Sequence, residues 1–155
     1  MEEHFNVHKD IRIAETLPAD FYRSQNVFDA IRENIFLKTW QWIGDESLVP
    51  FGQYVYPFIF MDNYITEPMV LVRDKDDSIK CFSNVCTHRG NIVVDNPGKA
   101  SQLRCMYHGR RFNLDGTFKS MPEFEEAKNF PRPCDNLHEF LARHAPPKNS
   151  YLPSK

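Results

Sequence analysis

The sequence from residue 86 to residue 110, CTHRGNIVVDNPGKASQLRCMYHGR, contains the two short motifs that decide the fold. The first hook is Cys86-Thr87-His88, and the second hook is Cys105-Met106-Tyr107-His108. Each hook offers one thiolate and one imidazole, and each is followed by a glycine, Gly90 or Gly109. Glycine allows a tight backbone turn and a close approach to a buried group. The spacing therefore predicts two loops that clamp one metal centre.

Four ligands of two kinds distinguish between metal centres. In a Rieske centre, two Cys bind one iron of a [2Fe–2S] cluster and two His bind the other iron. Two loops that each supply one Cys and one His satisfy this division when they face each other. We predict that Cys86 and Cys105 hold the inner iron and that His88 and His108 hold the outer iron. A zinc-stabilised interaction module with the same ligands is the alternative, although zinc hooks usually pair Cys with Cys and His with His.

The sequence around the hooks predicts short strands and one early helix. Apolar and β-branched runs bounded by turn residues predict strands at 40–44, 54–60, 69–73, 79–82, 111–113 and 118–120. The strands at 69–73 and 79–82 flank an Asp-rich turn, 74–78, which predicts a hairpin. Asp115-Gly116 suits the tight turn of a second hairpin, because such turns need positive φ angles. Pro57 is expected at a sheet edge or a bulge. Near the N-terminus, residues 17–22 predict a helical turn, and Ser24 is expected to cap a longer helix.

From Leu17 to Asn136 the chain resembles the Rieske [2Fe–2S] domain of ring-hydroxylating oxygenases, in the N-terminal part of their large, α-type subunit. The two hooks with their glycines, the Phe82–Val85 approach and the Leu114–Gly116 turn carry the resemblance. It implies a mainly β fold: a Rieske-type antiparallel β-sheet domain with two cluster-binding loops and an N-terminal helical arm. The expected divisions are 1–39 for the arm, 40–136 for the Rieske domain and 137–155 for an irregular tail, which suggests a truncated or frameshifted longer gene.

The chain departs from related Rieske sequences in two respects. Asn91 and Tyr107 stand where respiratory Rieske proteins carry the cysteines of a disulfide. The resemblance therefore implies a low-potential centre of the oxygenase type. Arg110 stands where many oxygenases have Trp. This arginine leaves the subfamily open.

The resemblance also implies a function and partners. The chain would accept an electron from a ferredoxin or a flavin reductase and pass it to the mononuclear non-haem iron of an oxygenase catalytic domain, in a homotrimer. That iron is expected only in a full-length relative, so no catalytic residue is assigned, and whether the chain is itself an enzyme stays open. We reject His138, Glu139 and His144 as its ligands, because their spacing differs from the family's motif. A standalone Rieske ferredoxin is the second alternative, although such carriers lack the long N-terminal arm.

The other chemically notable residues have ordinary interpretations. Cys81 is expected to be a small buried thiol, and Cys134 a free thiol. The remaining histidines are expected at solvated surface positions: His4, His8, His138 and His144. Four aromatic residues are expected in the core or at its rim: Trp40, Trp42, Tyr54 and Tyr56. Three arginines near the hooks either attract an acidic redox partner or pair with Asp and Glu: Arg89, Arg110 and Arg111.

Composition excludes several classes of function. Aromatic residues make up 14% of the chain, which favours sheet structure. The formal net charge of −2 is near balance, so the chain lacks the excess of positive charge that is typical of nucleic-acid-binding proteins. The longest apolar stretch, 55–61, is too short to span a bilayer, and the acidic start lacks a signal pattern. We therefore expect a cytoplasmic protein that contacts neither nucleic acid nor membrane.

Overall fold

The computed structural model describes residues 5–124 and 126–139. These residues form two compact units, which divide between Trp40 and Gln41. The first unit contains the helices α1 (Ala19–Arg23) and α2 (Gln25–Ile31). Ser24 Oγ accepts a hydrogen bond from the Val27 N–H at 3.3 Å, which confirms the predicted cap of α2. Beyond α2 the chain continues as a π-helical turn at Arg32–Phe36.

The second unit contains two antiparallel sheets. The four-stranded sheet has the order β3-β2-β1-β4, and the three-stranded sheet has the order β5-β6-β7. The strands of the larger sheet are β1 (Tyr54–Phe60), β2 (Glu67–Arg73), β3 (Ile79–Ser83) and β4 (Gly98–Lys99). The strands of the smaller sheet are β5 (Leu103–Arg104), β6 (Arg111–Phe112) and β7 (Phe118–Ser120). This architecture confirms the predicted mainly antiparallel β fold.

Both predicted hairpins are present. Strands β2 and β3 pair from Met69 with Ser83 to Arg73 with Ile79, around the Asp-rich turn. Strands β6 and β7 are joined by the turn that contains Gly116, whose φ is +84°. Pro57 lies in β1 beyond the two residues that pair with β4, so its missing N–H interrupts no ladder on that side.

Strand β2 is buried on both faces, because a separate hydrophobic core packs against each face of the larger sheet. Val70 and Val72 belong to a core that also contains Leu103 and Phe112 of the second sheet. Met69 and Leu71 point to a separate core on the opposite face of the sheet. The first of these cores includes the thiols of both hooks, so the packing between the sheets also supports the candidate site.

The strand predicted at 40–44 is wrong. Residues 40–44 are irregular, and Trp42 is 82% exposed while Trp40 is 56% exposed. The two tryptophans are therefore not core residues, whereas Tyr54 and Tyr56 are partly buried against the second core. Alternating aromatics suit a strand only where a neighbouring strand satisfies the backbone N–H and C=O groups.

The segment after residue 136 begins with three residues that contact the larger sheet. Leu137 is buried in the core with the hooks, and Glu139 forms a bridge with Phe82. The remainder of the predicted tail, 140–155, lies outside the described residues. In the described part of the chain, no helix has the length and apolar character needed to cross a membrane.

Candidate metal centre

The two hooks have matching backbone geometry. In the first loop, the Cys86 N–H donates to the Asn91 carbonyl at 2.8 Å, and the Cys86 carbonyl accepts from the Gly90 N–H at 3.0 Å. In the second loop, the Cys105 N–H donates to the Arg110 carbonyl at 2.9 Å, and its carbonyl accepts from the Gly109 N–H at 3.1 Å. Each loop is thus a tight turn that begins at its cysteine.

The two glycines allow these turns to close. Gly90 has a φ of +69° and Gly109 a φ of +72°, a conformation that costs side-chain-bearing residues energy. Around the turns, an isolated bridge joins Val85 to Ile92, and Arg104 of β5 pairs with Arg111 of β6. Strand pairing therefore fixes the base of each loop.

The first loop is also held by a buried asparagine. Asn84 Nδ2 donates to the Val94 carbonyl at 2.8 Å, and Asn84 Oδ1 accepts from the Val94 N–H at 2.9 Å. The Asn84 carbonyl accepts from the Val93 N–H at 3.0 Å. Asn84 thereby joins the segment that enters the loop to the segment that leaves it, with its own polar groups satisfied.

The four predicted ligands form two pairs of like groups. Cys86 and Cys105 are 3% and 2% exposed, and both belong to the same hydrophobic core, where each thiol lies in the electrostatic environment of the other. His88 and His108 have ring centroids 4.9 Å apart, and His108 is exposed. Within residues 5–124 and 126–139, no three His, Cys, Asp or Glu side chains converge on a point that could hold a single metal ion. A pair of buried thiols beside a pair of outer imidazoles suits a binuclear cluster better than one tetrahedral zinc.

Burial changes the proton affinities of both pairs. Burial raises the pKa of the Cys86 thiol, and the neighbouring Cys105 thiol adds to that increase. Burial also lowers the pKa of His88, as do the nearby His108 and Arg89. Without a metal, the Cys86 thiol and the His88 imidazole are therefore both biased toward their neutral forms. Metal binding then requires the thiols to lose protons.

Further contacts surround the ligand pairs. Asn91 Nδ2 donates to Cys105 Sγ at 3.7 Å and to the Ile92 carbonyl at 2.8 Å. The Tyr107 ring lies 3.8 Å from the His108 ring, and the Phe124 ring lies 6.1 Å from the His88 ring. The sequence analysis noted Asn91 only because respiratory Rieske proteins have a cysteine at this position. It did not predict that the Asn91 side chain donates a hydrogen bond to sulfur. All four cysteines are free: Cys81, Cys86, Cys105 and Cys134.

The arginines near the hooks do not behave alike. Arg110 is buried and forms an ion pair with Asp135 at 2.7 Å, whereas Arg89 is exposed and Arg111 is half-buried. Arg110 is therefore unavailable to an acidic partner. The sequence marked Arg110 as unusual, because many related oxygenases have Trp at this position. It could not reveal Asp135 as the partner of Arg110, because strands β6 and β7 lie between the two residues in the chain.

The other chemically notable residues are not part of the two hooks. Cys81 is fully buried in the core on the far face of the larger sheet, as predicted. Cys134 is a free thiol, as predicted, and it is exposed. His8 and His138 are exposed, as predicted. His4 and His144, and with His144 the rejected iron triad, lie outside the described residues.

Comparison with known proteins identifies the domain. The family model described as the Rieske [2Fe–2S] domain matches residues 39–131. The oxygenase subunit of carnitine monooxygenase from Escherichia coli (strain K12) is 39% identical over 119 residues, which cover 76% of this chain and 30% of that protein. The α subunit of biphenyl dioxygenase from Paraburkholderia xenovorans (strain LB400) is 35% identical over 108 residues, which cover 68% of this chain and 22% of that protein.

A solved structure shares the fold. A quaternary ammonium Rieske monooxygenase, for which inter-subunit electron transfer and carnitine oxidation by gut microbiota are described, aligns with a TM-score of 0.69 at 29% identity. The alignment covers 79% of this chain and 33% of that one. The chain thus spans less than a third of the length of the two curated relatives above.

Proposed function

The chain belongs to the Rieske [2Fe–2S] domain family, and we propose that it transfers single electrons through a cluster held by its two hooks. The observation that carries this proposal is the pairing of like ligands, thiol beside thiol and imidazole beside imidazole, on two loops of matching geometry. Cys86 and Cys105 hold the inner iron, and His88 and His108 hold the outer iron. When bound, the cluster accepts one electron and later releases it.

The chain's own residues give the centre a buried side and an open side. Cys86 and Cys105 lie in the core between the sheets, where water is excluded. His108 and its neighbour Tyr107 are exposed, so the imidazole edge is the side through which a partner exchanges electrons with the centre. The neutral bias of His88 prepares it as a ligand, because an imidazole binds iron through an unprotonated nitrogen.

The partners belong to the same proposal. The donor is a ferredoxin or a flavin reductase, and the acceptor is the mononuclear iron of an oxygenase catalytic domain. The resemblance to oxygenase subunits supports this acceptor, and the inter-subunit electron transfer described for a structural neighbour supports its location in another subunit of a homotrimer. Sedimentation analysis tests the trimer: a mass of three chains is expected, and a monomer at all concentrations would contradict it.

Metal analysis with matched variants tests the cluster. The purified chain is expected to be red-brown, with two irons and two acid-labile sulfides per chain. Cys86→Ser is expected to lose most of both, because serine supplies no thiolate to the inner iron. Cys134→Ser is the matched control, since it removes an exposed thiol outside the hooks, and its cluster content is expected to equal that of the unmodified chain. A colourless zinc protein, or equal losses in the two variants, would refute the proposal.

Reduction experiments test the electron transfer itself. Mixing the oxidised chain with NADH and a flavin reductase is expected to bleach the visible absorbance by the uptake of one electron per cluster. Air is then expected to restore the absorbance. A cluster that no reductase or ferredoxin reduces, but that dithionite reduces, would show that the centre is not an electron carrier for this class of donor.

A further inference from the structure

Arg110 is a buried cation beside the candidate site. Its side chain is 3% exposed, and its guanidinium donates to Asp135 Oδ1 at 2.7 Å and to Thr87 Oγ1 at 2.8 Å. The guanidinium also lies 5.1 Å from the ring centre of Phe118 and 5.5 Å from that of Phe130. A buried charge is costly unless it is paired and hydrogen bonded, and here Asp135 and Thr87 supply both.

Thr87 places one end of this network between two predicted ligands. It is the residue between Cys86 and His88, and its hydroxyl donates to the Asp135 carbonyl at 2.8 Å while accepting from Arg110. The hydroxyl is thus held from two directions. These two bonds fix the side chain that lies between Cys86 and His88 in the chain.

Arg110 also belongs to the second loop. Its backbone carbonyl accepts the Cys105 N–H at 2.9 Å, the bond that closes the second turn. One residue therefore contacts the first hook through its guanidinium and the second hook through its carbonyl. This single residue therefore links the two loops.

Asp135 connects the network to a third segment. Its second carboxylate oxygen accepts the N–H of Arg132 at 2.8 Å, and Arg132 is the residue that precedes the 3₁₀ turn Pro133–Asp135. Although burial acts to raise it, hydrogen bonds from the Arg132 N–H and from Arg110 hold the pKa of Asp135 below its ordinary value. The carboxylate remains charged and keeps the guanidinium in place.

A role in stability alone does not explain this arrangement. A buried ion pair adds little net stability, because the loss of hydration offsets the attraction between the charges. A hydrogen-bonded polar network instead selects one geometry among several that an apolar core would tolerate. Nη1 and Nη2 of Arg110 donate to Thr87 and Asp135, whereas Nε of Arg110 is, among the described residues, a buried side-chain nitrogen without a hydrogen-bond partner.

We propose that Arg110 is a positioning residue for the cluster: through Thr87 and Asp135 it holds the first hook at a set distance and angle from the second. This inference rests on the proposed function, since it assumes that the hooks bind a cluster. It predicts that the network controls two properties: the rate at which the cluster is lost, and how uniform the geometry of its ligands is from molecule to molecule. It assigns no direct contact between Arg110 and the cluster.

Thr87→Val is the decisive variant, because it keeps the side-chain shape and removes only the hydroxyl. The full-length chain, loaded with its cluster, is incubated with a chelator, and the loss of visible absorbance is followed. Losing a hydrogen bond from a charged donor is expected to speed cluster loss about tenfold. The electron paramagnetic resonance spectrum of the reduced cluster is expected to broaden, because the first hook samples more geometries.

Two variants serve as controls, and one tests the arginine itself. Thr87→Ser keeps the hydroxyl and is expected to restore the original lifetime and spectrum. Arg111→Met removes the same charge from the adjacent, half-buried residue and is expected to change neither. Arg110→Met is expected to act like Thr87→Val, but it leaves Asp135 without its charge partner and can prevent folding. Far-ultraviolet circular dichroism checks that the backbone of each variant is intact.

The outcomes separate this inference from the proposed function. An unmodified chain without iron and sulfide would overturn the proposed function and this inference with it. A chain that carries the cluster, but in which Thr87→Val matches Thr87→Ser in lifetime and spectrum, would overturn the positioning role alone. An Arg111→Met variant as labile as Thr87→Val would also overturn it, because the effect would then be one of general charge.

Discussion

Replacing Asn91 by Leu is expected to lower the reduction potential of the cluster. The amide Nδ2 donates to Cys105 Sγ at 3.7 Å, and leucine has a similar volume but no donor. Reduction adds negative charge to the cluster and its sulfur ligands, so an N–H directed at sulfur stabilises the reduced state more than the oxidised state. Loss of that donor therefore favours oxidation.

The magnitude follows from the geometry of this bond. A hydrogen bond to a charged group contributes about 1.5–3 kcal/mol, but Asn91 is exposed and the bond is long, so about 1 kcal/mol is a reasonable difference between redox states. One electron corresponds to about 59 mV for each tenfold change in equilibrium constant. Since a tenfold change is about 1.4 kcal/mol, the potential is expected to fall by about 40 mV.

A mediated redox titration, followed by visible circular dichroism, measures this shift. Asn96→Leu is the matched control, because Asn96 is an exposed asparagine in the same connection between the hooks, and its potential is expected to equal that of the unmodified chain. An Asn91→Leu potential that is unchanged or higher, at full cluster content, would refute the reasoning. It would mean that the contact between Asn91 and Cys105 carries no electrostatic effect.

Three further predictions concern the fold. Gly116→Ala is expected to lower the free energy of unfolding by about 3 kcal/mol, because φ is +84° and the added Cβ would lie 2.5 Å from Cε1 of Phe82; denaturant titration measures this. Burial raises the pKa of Cys81 to about 12, so the stability contributed by its neutral thiol is present below pH 9 and decreases by about 1.4 kcal/mol per pH unit from there toward pH 12. Titrations at several alkaline pH values are expected to show this loss in the unmodified chain and a flatter dependence in Cys81→Ala. Ser24→Ala is expected to weaken α2 by about 1 kcal/mol, which faster amide exchange at Val27 would reveal.

Specific controls accompany these three predictions. Gly98→Ala places a Cβ in open space without a positive φ, so it is expected to change the free energy of unfolding much less than Gly116→Ala. Parallel alkaline profiles for Cys81→Ala and the unmodified chain would show that the thiol does not ionise in this range. Unchanged exchange at Val27 in Ser24→Ala would mean that the cap at 3.3 Å contributes nothing to the helix.

Local spacing was sufficient to predict the hooks and the hairpins. A Cys and a His two or three residues apart must share one loop, and Asp-Gly between two apolar runs must turn the chain, whatever surrounds them. The structure accordingly has both β2–β3 and β6–β7 as hairpins and brings the two hooks together. These features depend on backbone geometry over a few residues.

The strand predicted at 40–44 failed because alternation is a weaker signal than turn chemistry. An aromatic residue at every second position suits a strand, but it does not supply the neighbouring strand that a sheet requires. Trp40 and Trp42 are exposed instead. The continuous apolar run 69–72 had the opposite outcome, since two separate cores bury both faces of β2.

The amino-acid sequence was thus enough to identify the turns and the family and to predict the ligand types, because each depends on residues that are close along the chain. The contacts of Arg110 were not predictable in the same way. Its partners Thr87 and Asp135 lie 23 and 25 residues away, and only the packing of the loops against the 3₁₀ turn brings the three together. Burial removes water from the guanidinium, so the same charge that would be a surface feature on an open loop becomes a link between the two hooks.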